Sequence, residues 1–341
     1  MTRHGVGIQV GATTAPRDLG EVVAEAEQLG FSEIWLAEDY FELGGIASAA
    51  IALAATDEIP IGLGVVAAAA RHPAVTAMEF ATLGTAYPGR LMAGLGHGAT
   101  GWVRQMGIEA TSPLASLREA TRAIRQLMAG GELTYDGDFF RFDRIRLIHP
   151  PSGAIPLYLG VHGPASLRLS GELADGTLLG WFSSPSYVAW ARERIDEGRA
   201  KARRNDAHEL VALCVSSISN DDPQHARHQI GEWARSMLRA MTDSPQLKVS
   251  PMRSELAALP ERGPDASDEP LPAHLLDEFV AAGNAADCVA MIDRLLAAGA
   301  DRVVLVPNPA GFRSTTSMVE QMRTVAPLAS SGSELADPTL P

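Results

Sequence analysis

Apolar side chains in this chain fall into two patterns that alternate along its length. Short apolar runs at Gly5–Val10, Phe31–Leu36, Ile61–Ala68, Leu91–Gly96, Ile155–Val161, Thr177–Phe182, Leu210–Ile218 and Arg302–Val306 read as buried strands. Between them, apolar residues recur with helical spacing. Asp18–Leu29 carries Leu19, Val22, Val23, Ala26 and Leu29 on one stripe, closed by Gly30. Further helices are predicted over Ile46–Ala55, Ala74–Thr85, Pro113–Met128, Pro164–Leu173, Ser186–Arg203, Pro223–Met241, Ala285–Ala298 and Ser317–Thr324. Strands buried on both faces and joined through helices belong to a parallel sheet. Eight such strands favour an α/β fold of the single (β/α)8 TIM-barrel type over an open doubly wound sheet.

Two segments break the alternation. Over residues 130–147, aromatic and charged residues alternate around Tyr135-Asp136-Gly137-Asp138-Phe139, which predicts a hairpin outside the main sheet. Residues 242–271 are rich in Pro, Ser, Asp and Glu with little periodicity, which predicts an irregular, lid-like insertion with one helical turn near Arg253–Leu259. No internal repeat suggests a second domain. The expected organisation is one barrel domain over residues 1–330 and a flexible tail over 331–341.

Composition narrows the partners. A formal charge of −13 disfavours nucleic acid or an anionic membrane surface, so any phosphate must be held by backbone amides and helix N-termini. Cys214 and Cys288 stand alone, without CxxC spacing, which suits a reducing compartment. A strand begins almost at the N-terminus, leaving no room for a signal peptide, and no apolar run approaches membrane-spanning length. A soluble cytoplasmic protein acting on a small-molecule substrate is expected.

In a barrel of this type, chemistry gathers where strands end and βα loops begin. Gly94-Leu95-Gly96-His97-Gly98-Ala99 matches the relaxed dinucleotide fingerprint G-x-G-x-x-A, but follows the fourth strand rather than the first, so it reads as a loop whose amides approach a flat or phosphorylated ligand. Val161-His162-Gly163-Pro164-Ala165-Ser166 ends the fifth strand and opens a helix with Pro near its first position, a natural anion site. Asp39 ends the second strand. His72, His97, His149 and His162 fall near strand ends without HxH or HExxH spacing, so no metal site is predicted. His97, inside the glycine loop, is the best candidate proton carrier. No nucleophile elbow is present. Trp35, Tyr40, Phe41, Trp102, Trp181 and Phe182 are the large side chains expected near the mouth.

Taken together, Arg71-His72-Pro73-Ala74, Gly89 through Gly98, Gly163-Pro164-Ala165-Ser166-Leu167 and Ala174-Asp175-Gly176 resemble the luciferase-like monooxygenase superfamily, and within it the branch that uses the deazaflavin coenzyme F420. The resemblance covers nearly the whole chain, in the same order and spacing. It implies a barrel that binds F420 at the C-terminal strand ends, with a non-prolyl cis peptide at Gly64-Val65 backing the ring, and a homodimer. The cofactor-contacting positions then fall on Asp39, Gly64, Val65, Val66, His97, Gly98, Trp102, His162, Gly163, Ala165 and Ser166.

Two departures bear on activity. The sugar-phosphate and alcohol dehydrogenases of this branch have a histidine directly after the strand-two aspartate, where this chain has Tyr40. The sugar-phosphate enzymes carry a glutamate where it has Ala99. An oxidoreductase using reduced F420 fits better than an alcohol oxidase, with Tyr40, His97, substrate or water giving the proton. The alternatives are an FMN-dependent monooxygenase on the same barrel, and a barrel that has lost its chemistry and serves as a binding partner.

Overall fold

The computed structural model describes residues 5–108, 111–259, 271–308 and 315–330. Its strands are β1 (Gly7–Val10), β2 (Ile34–Leu36), β3 (Ile61–Leu63), β4 (Val66–Ala67), β5 (Leu91–Gly96), β6 (Leu133–Asp136), β7 (Arg141–Ile145), β8 (Leu157–Gly160), β9 (Gly176–Leu179), β10 (Glu209–Ile218), β11 (Ala281–Gly283) and β12 (Arg302–Pro307). Parallel pairing runs β1–β2–β3–β5–β8–β9–β10–β12 and back to β1, which closes the ring. β3 and β4 are two halves of one stave, separated by the cis peptide Gly64-Val65, and β4 continues the pairing with β5. The fold is the (β/α)8 barrel expected from the alternation.

Strand parity divides the core in two. Ile8, Ile34, Leu36, Leu95, Leu159 and Leu305 face the surrounding helices. Trp35, Met92, Tyr158, Leu178, Val211, Leu213, Val215 and Val304 belong to a separate cluster that fills the lumen. Trp35 and Tyr158 meet edge to face there, with ring centroids 5.3 Å apart. Both rings fit because facing positions are glycine: a Cβ on Gly62 would lie 2.5 Å from the Trp35 ring, and one on Gly176 2.2 Å from the Tyr158 ring. Trp35 therefore fills the barrel and does not reach the mouth. The N-terminal end is closed by Arg302, which bonds Glu33 at 2.6 Å and Glu209 at 2.8 Å, while the Tyr158 hydroxyl donates to Glu209.

The predicted hairpin is the antiparallel pair β6–β7, with Leu133 opposite Ile145 and Asp136 opposite Arg141. His72 holds it down. Its Nδ1 accepts from the Ala74 amide at 3.2 Å, so Nε2 carries the proton and donates to the Arg141 carbonyl at 3.1 Å. In the expected lid, the described part contains short helices at Pro245–Lys248 and Arg253–Ala258. Its remainder, 260–270, and the tail 331–341 lie outside the described residues. β11 has no apolar run to announce it: Ala-Ala-Gly carries no β-branched side chain, yet it pairs with Ser216–Ile218 of β10.

His208 couples this core to pH. It sits 2.9 Å from Thr177 Oγ1 and 3.2 Å from the Ala174 carbonyl, and burial, helped by Arg192, pushes its pKa down to about 4. An unfolded chain binds this proton near pH 6.5 and the folded one does not, so the stability is present above that pH and is lost as pH falls toward 4. Thermal unfolding between pH 7 and pH 5 should show a shallower loss of Tm for His208→Gln than for the wild type. An unchanged slope would assign the acid sensitivity elsewhere.

Candidate active site

The C-terminal rim of the barrel gathers most of the residues singled out above. In the third stave, the Val65 side chain packs toward the lumen, while Val66 is fully buried in the outer core. Of the two, only Val65 presents a side chain to the mouth. It occupies space that glycines leave: a Cβ on Gly96 would lie 2.6 Å from Val65 Cγ2, and one on Gly160 2.7 Å from Val65 Cγ1. A Cβ on Gly94 would lie 1.7 Å from the Leu63 carbonyl oxygen. The first two glycines of the G-x-G-x-x-A match are therefore packing requirements within β5. Gly98, at φ 75°, is the one that shapes the loop.

The end of β2 delivers Glu38, Asp39 and Tyr40. Glu38 is the buried hub: Arg71 grips both its oxygens at 2.8 Å, the Gly45 amide donates at 2.9 Å, and the Tyr40 hydroxyl donates at 2.9 Å. Burial and the Glu38 charge push the Tyr40 pKa up to about 12. Its proton is thus committed to Glu38, and giving it to a substrate would break that bond. Asp39 makes no side-chain hydrogen bond among the described residues, and burial together with the Glu42 and Glu38 charges raises its pKa.

β5 and β8 run in register, Gly96 opposite Gly160, so His97 and His162 leave neighbouring strands just above the rim, one and two residues beyond that pair. His97 Nδ1 is buried without a partner, and burial lowers its pKa. His162 lies against Gly180, where a Cβ would sit 2.6 Å from its Cε1, and Gln246 Nε2 approaches its Nδ1 at 3.2 Å. Burial and the neighbouring His97 push the His162 pKa down to about 4. The helix Pro164–Leu173 starts directly beyond it. Gly163 offers no side-chain cap and Pro164 has no N–H, so the Ala165 and Ser166 amides face outward from the first turn. A cavity of about 360 Å³ opens beside His97 and Gly98, with Thr100, Val103, Arg104 and Ser116 in its wall.

Aromatic side chains frame this mouth. Trp102, on the short helix Thr100–Gln105, lies 6.3 Å from the Tyr40 ring, and Tyr40 stacks on Phe41 at 5.8 Å. Trp181 packs on Trp233 at 5.8 Å and donates its Nε1 proton to Gln9 at 2.8 Å. Phe182 is fully buried and serves packing. Two histidines leave the picture: His72 anchors the hairpin, and His149, exposed and preceding β8, belongs to the other end of the barrel. Among the described residues, no group of three or more His, Cys, Asp or Glu could hold a metal ion.

Glu38, Gln9 and Gln246 are not legible as site residues from sequence. Glu38 carries a weak signal through its place beside Asp39, whereas Gln246 sits in an aperiodic segment that gives no clue to where it folds.

Fold and site together define a (β/α)8 barrel with a buried Glu38–Arg71–Tyr40 network and an open helix N-terminus at its C-terminal mouth. A model of the luciferase-like monooxygenase family matches residues 1–302, and the chain belongs to that family. It is 36% identical over 205 residues to a 5,10-methylenetetrahydromethanopterin reductase of Archaeoglobus fulgidus, a match spanning 60% of this chain and 61% of that protein. It is 31% identical over 238 residues to an F420-dependent glucose-6-phosphate dehydrogenase of Nakamurella multipartita, covering 66% of this chain and 70% of that one. The fold is shared with the coenzyme F420-dependent tetrahydromethanopterin reductase of Methanopyrus kandleri, with TM-score 0.73, 22% identity and coverage of 94% and 97% of the two chains. An F420-dependent secondary alcohol dehydrogenase shares it with TM-score 0.75, 21% identity and coverage of 96% and 99%.

Proposed function

We propose that the protein is an F420-dependent oxidoreductase that moves a hydride between C5 of the deazaflavin and a small organic substrate. The observation that carries this reading is the similarity to F420-dependent relatives such as the Nakamurella dehydrogenase. The site's chemistry fits the cofactor. A Cβ on Gly163 would meet only Ser166 Oγ, at 3.5 Å, so an anion has room to approach the open amides of the helix Pro164–Leu173. Gly163, Ala165 and Ser166 would hold the phosphate, with His97, Gly98 and His162 beside it. Asp39, Gly64, Val65, Trp102 and the Val66 backbone would border the ring. Bound F420 supplies the hydride acceptor or donor, while the barrel orients ring and substrate and excludes water. Since Tyr40 is tied to Glu38, His97, substrate or water is the better proton source.

Titrating the purified protein with F420 and with FMN, followed by fluorescence quenching, tests the reading. Tight FMN binding with no F420 binding would convert it to the monooxygenase alternative, and binding of neither would favour the degenerate barrel.

Two free, buried thiols, Cys214 and Cys288, support a cytoplasmic location. No helix among the described residues is long and apolar enough to cross a membrane. A homodimer is supported by Ile51, Val75 and Met78, which stand 39%, 43% and 52% exposed on the adjacent helices Gly45–Ala55 and Pro73–Ala86. Met78→Glu should halve the mass seen by light scattering without lowering helix content. A wild type that is already monomeric would remove the proposal.

A further inference from the structure

We propose that the cavity beside His97 and Gly98 is a subsite for the carboxylate-bearing glutamate tail of F420, with Arg104 as its charged contact. The inference rests on the F420 reading and extends it past the phosphate, to a part of the cofactor remote from the hydride.

Strand parity puts the cavity outside the ring of strands. Leu95 faces the surrounding helices, and His97, two residues on, follows it to that side. The wall is completed there by Thr100, Val103 and Arg104 of the helix Thr100–Gln105 and by Pro113 and Ser116 of the helix Pro113–Met128. Val65, the proposed floor of the ring, belongs instead to the lumen cluster. A substrate meeting C5 of the deazaflavin would lie on the lumen side. The cavity is left for the part of the cofactor that continues beyond the phosphate.

Its chemistry suits an anion. Ser112 gives the 16-residue helix Pro113–Met128 no side-chain cap, Pro113 has no N–H, and no acidic residue stands in the first turn. The Leu114 and Ala115 amides therefore lack acceptors within the helix. Two side chains in the wall point to a ligand as well. Ser116 is only 5% exposed, and its hydroxyl has no hydrogen-bond partner among the described residues. His97 adds a buried Nδ1 without a partner. Arg104 is exposed and makes no ion pair among the described residues, and no carboxylate lines the wall among them. The volume, about 360 Å³, far exceeds the roughly 30 Å³ share of one water, so it admits a γ-linked glutamyl chain rather than a lone ion.

Fluorescence-quenching titrations compare F420 carrying its glutamates with the form cut back to phospholactate, which keeps ring and phosphate but has no glutamates. The wild type should bind the tailed form about fivefold more tightly, and the advantage should vanish near about 0.5 M salt. Arg104→Glu, at an exposed position and checked by its melting curve, should weaken the tailed form about tenfold and leave the tail-less form within about twofold. Arg104→Lys should keep most of the advantage. Equal wild-type affinity for the two forms would overturn the proposal and leave the F420 reading intact, and this comparison needs no variant. Equal weakening of both forms by Arg104→Glu would also overturn it, by placing the phosphate in this cavity. Failure of the wild type to bind either form would instead overturn the cofactor reading and this inference with it.

Discussion

Gly163→Asp is expected to weaken F420 binding by at least about 100-fold while leaving the melting temperature within about 2 °C of the wild type. The two halves of this expectation have separate causes. Gly163 has φ −83° and ψ 157°, a conformation open to any residue, and its missing Cβ faces open space apart from Ser166 Oγ. Aspartate is moreover a preferred N-cap, so the helix loses nothing and gains a few tenths of a kcal/mol relative to glycine. The same carboxylate then occupies the first-turn amides and places a negative charge where the phosphate is proposed to sit. Like charges in such proximity cost several kcal/mol, and about 2.7 kcal/mol already corresponds to the stated 100-fold. Quenching of F420 fluorescence measures the affinity, and Gly163→Ala separates charge from bulk, with an expected change below about fivefold. Affinity within about threefold of the wild type for Gly163→Asp would place the phosphate elsewhere.

How much of this is legible in the sequence depends on which physical signal each feature leaves. The barrel is readable because strands buried on both faces leave continuous apolar runs, and Leu91–Gly96 and Pro113–Met128 fall where periodicity puts them. The cis peptide at Gly64-Val65 follows from resemblance alone, since nothing in Gly-Val marks it. The glycines of β5 are visible but misleading: a run such as Gly94-Leu95-Gly96 looks the same whether its missing side chains admit a ligand or, as here, Val65 and the Leu63 carbonyl. Trp35 reads as a mouth residue because its height in the barrel cannot be known without the register. The Glu38–Arg71–Tyr40 network joins residues 33 positions apart, and local pattern carries no trace of such a pairing.

The glycines of β5 also set up the largest expected loss of stability. Gly94→Ala should lower the melting temperature by about 5–10 °C, corresponding to roughly 3 kcal/mol or more. The added Cβ would meet the Leu63 carbonyl oxygen at 1.7 Å and Val65 Cγ1 at 3.1 Å, and the first of these is backbone, with no rotamer available to relieve it. Gly101→Ala provides the opposing case. That residue lies in the exposed helix Thr100–Gln105, its Cβ would meet nothing within 4 Å, and alanine there should stabilise by about 0.5–1 kcal/mol through helix propensity. Identical chemistry with opposite signs separates steric packing from backbone entropy. The clash at Gly94 also bears on function, because relief requires the third stave to move away from β5 and to carry Val65 with it. The folded fraction of Gly94→Ala should therefore bind F420 more weakly than the wild type, whereas Gly101→Ala should not. A Gly94→Ala protein as stable as the wild type would show that the third stave shifts freely, and that Val65 is no fixed floor for a ring.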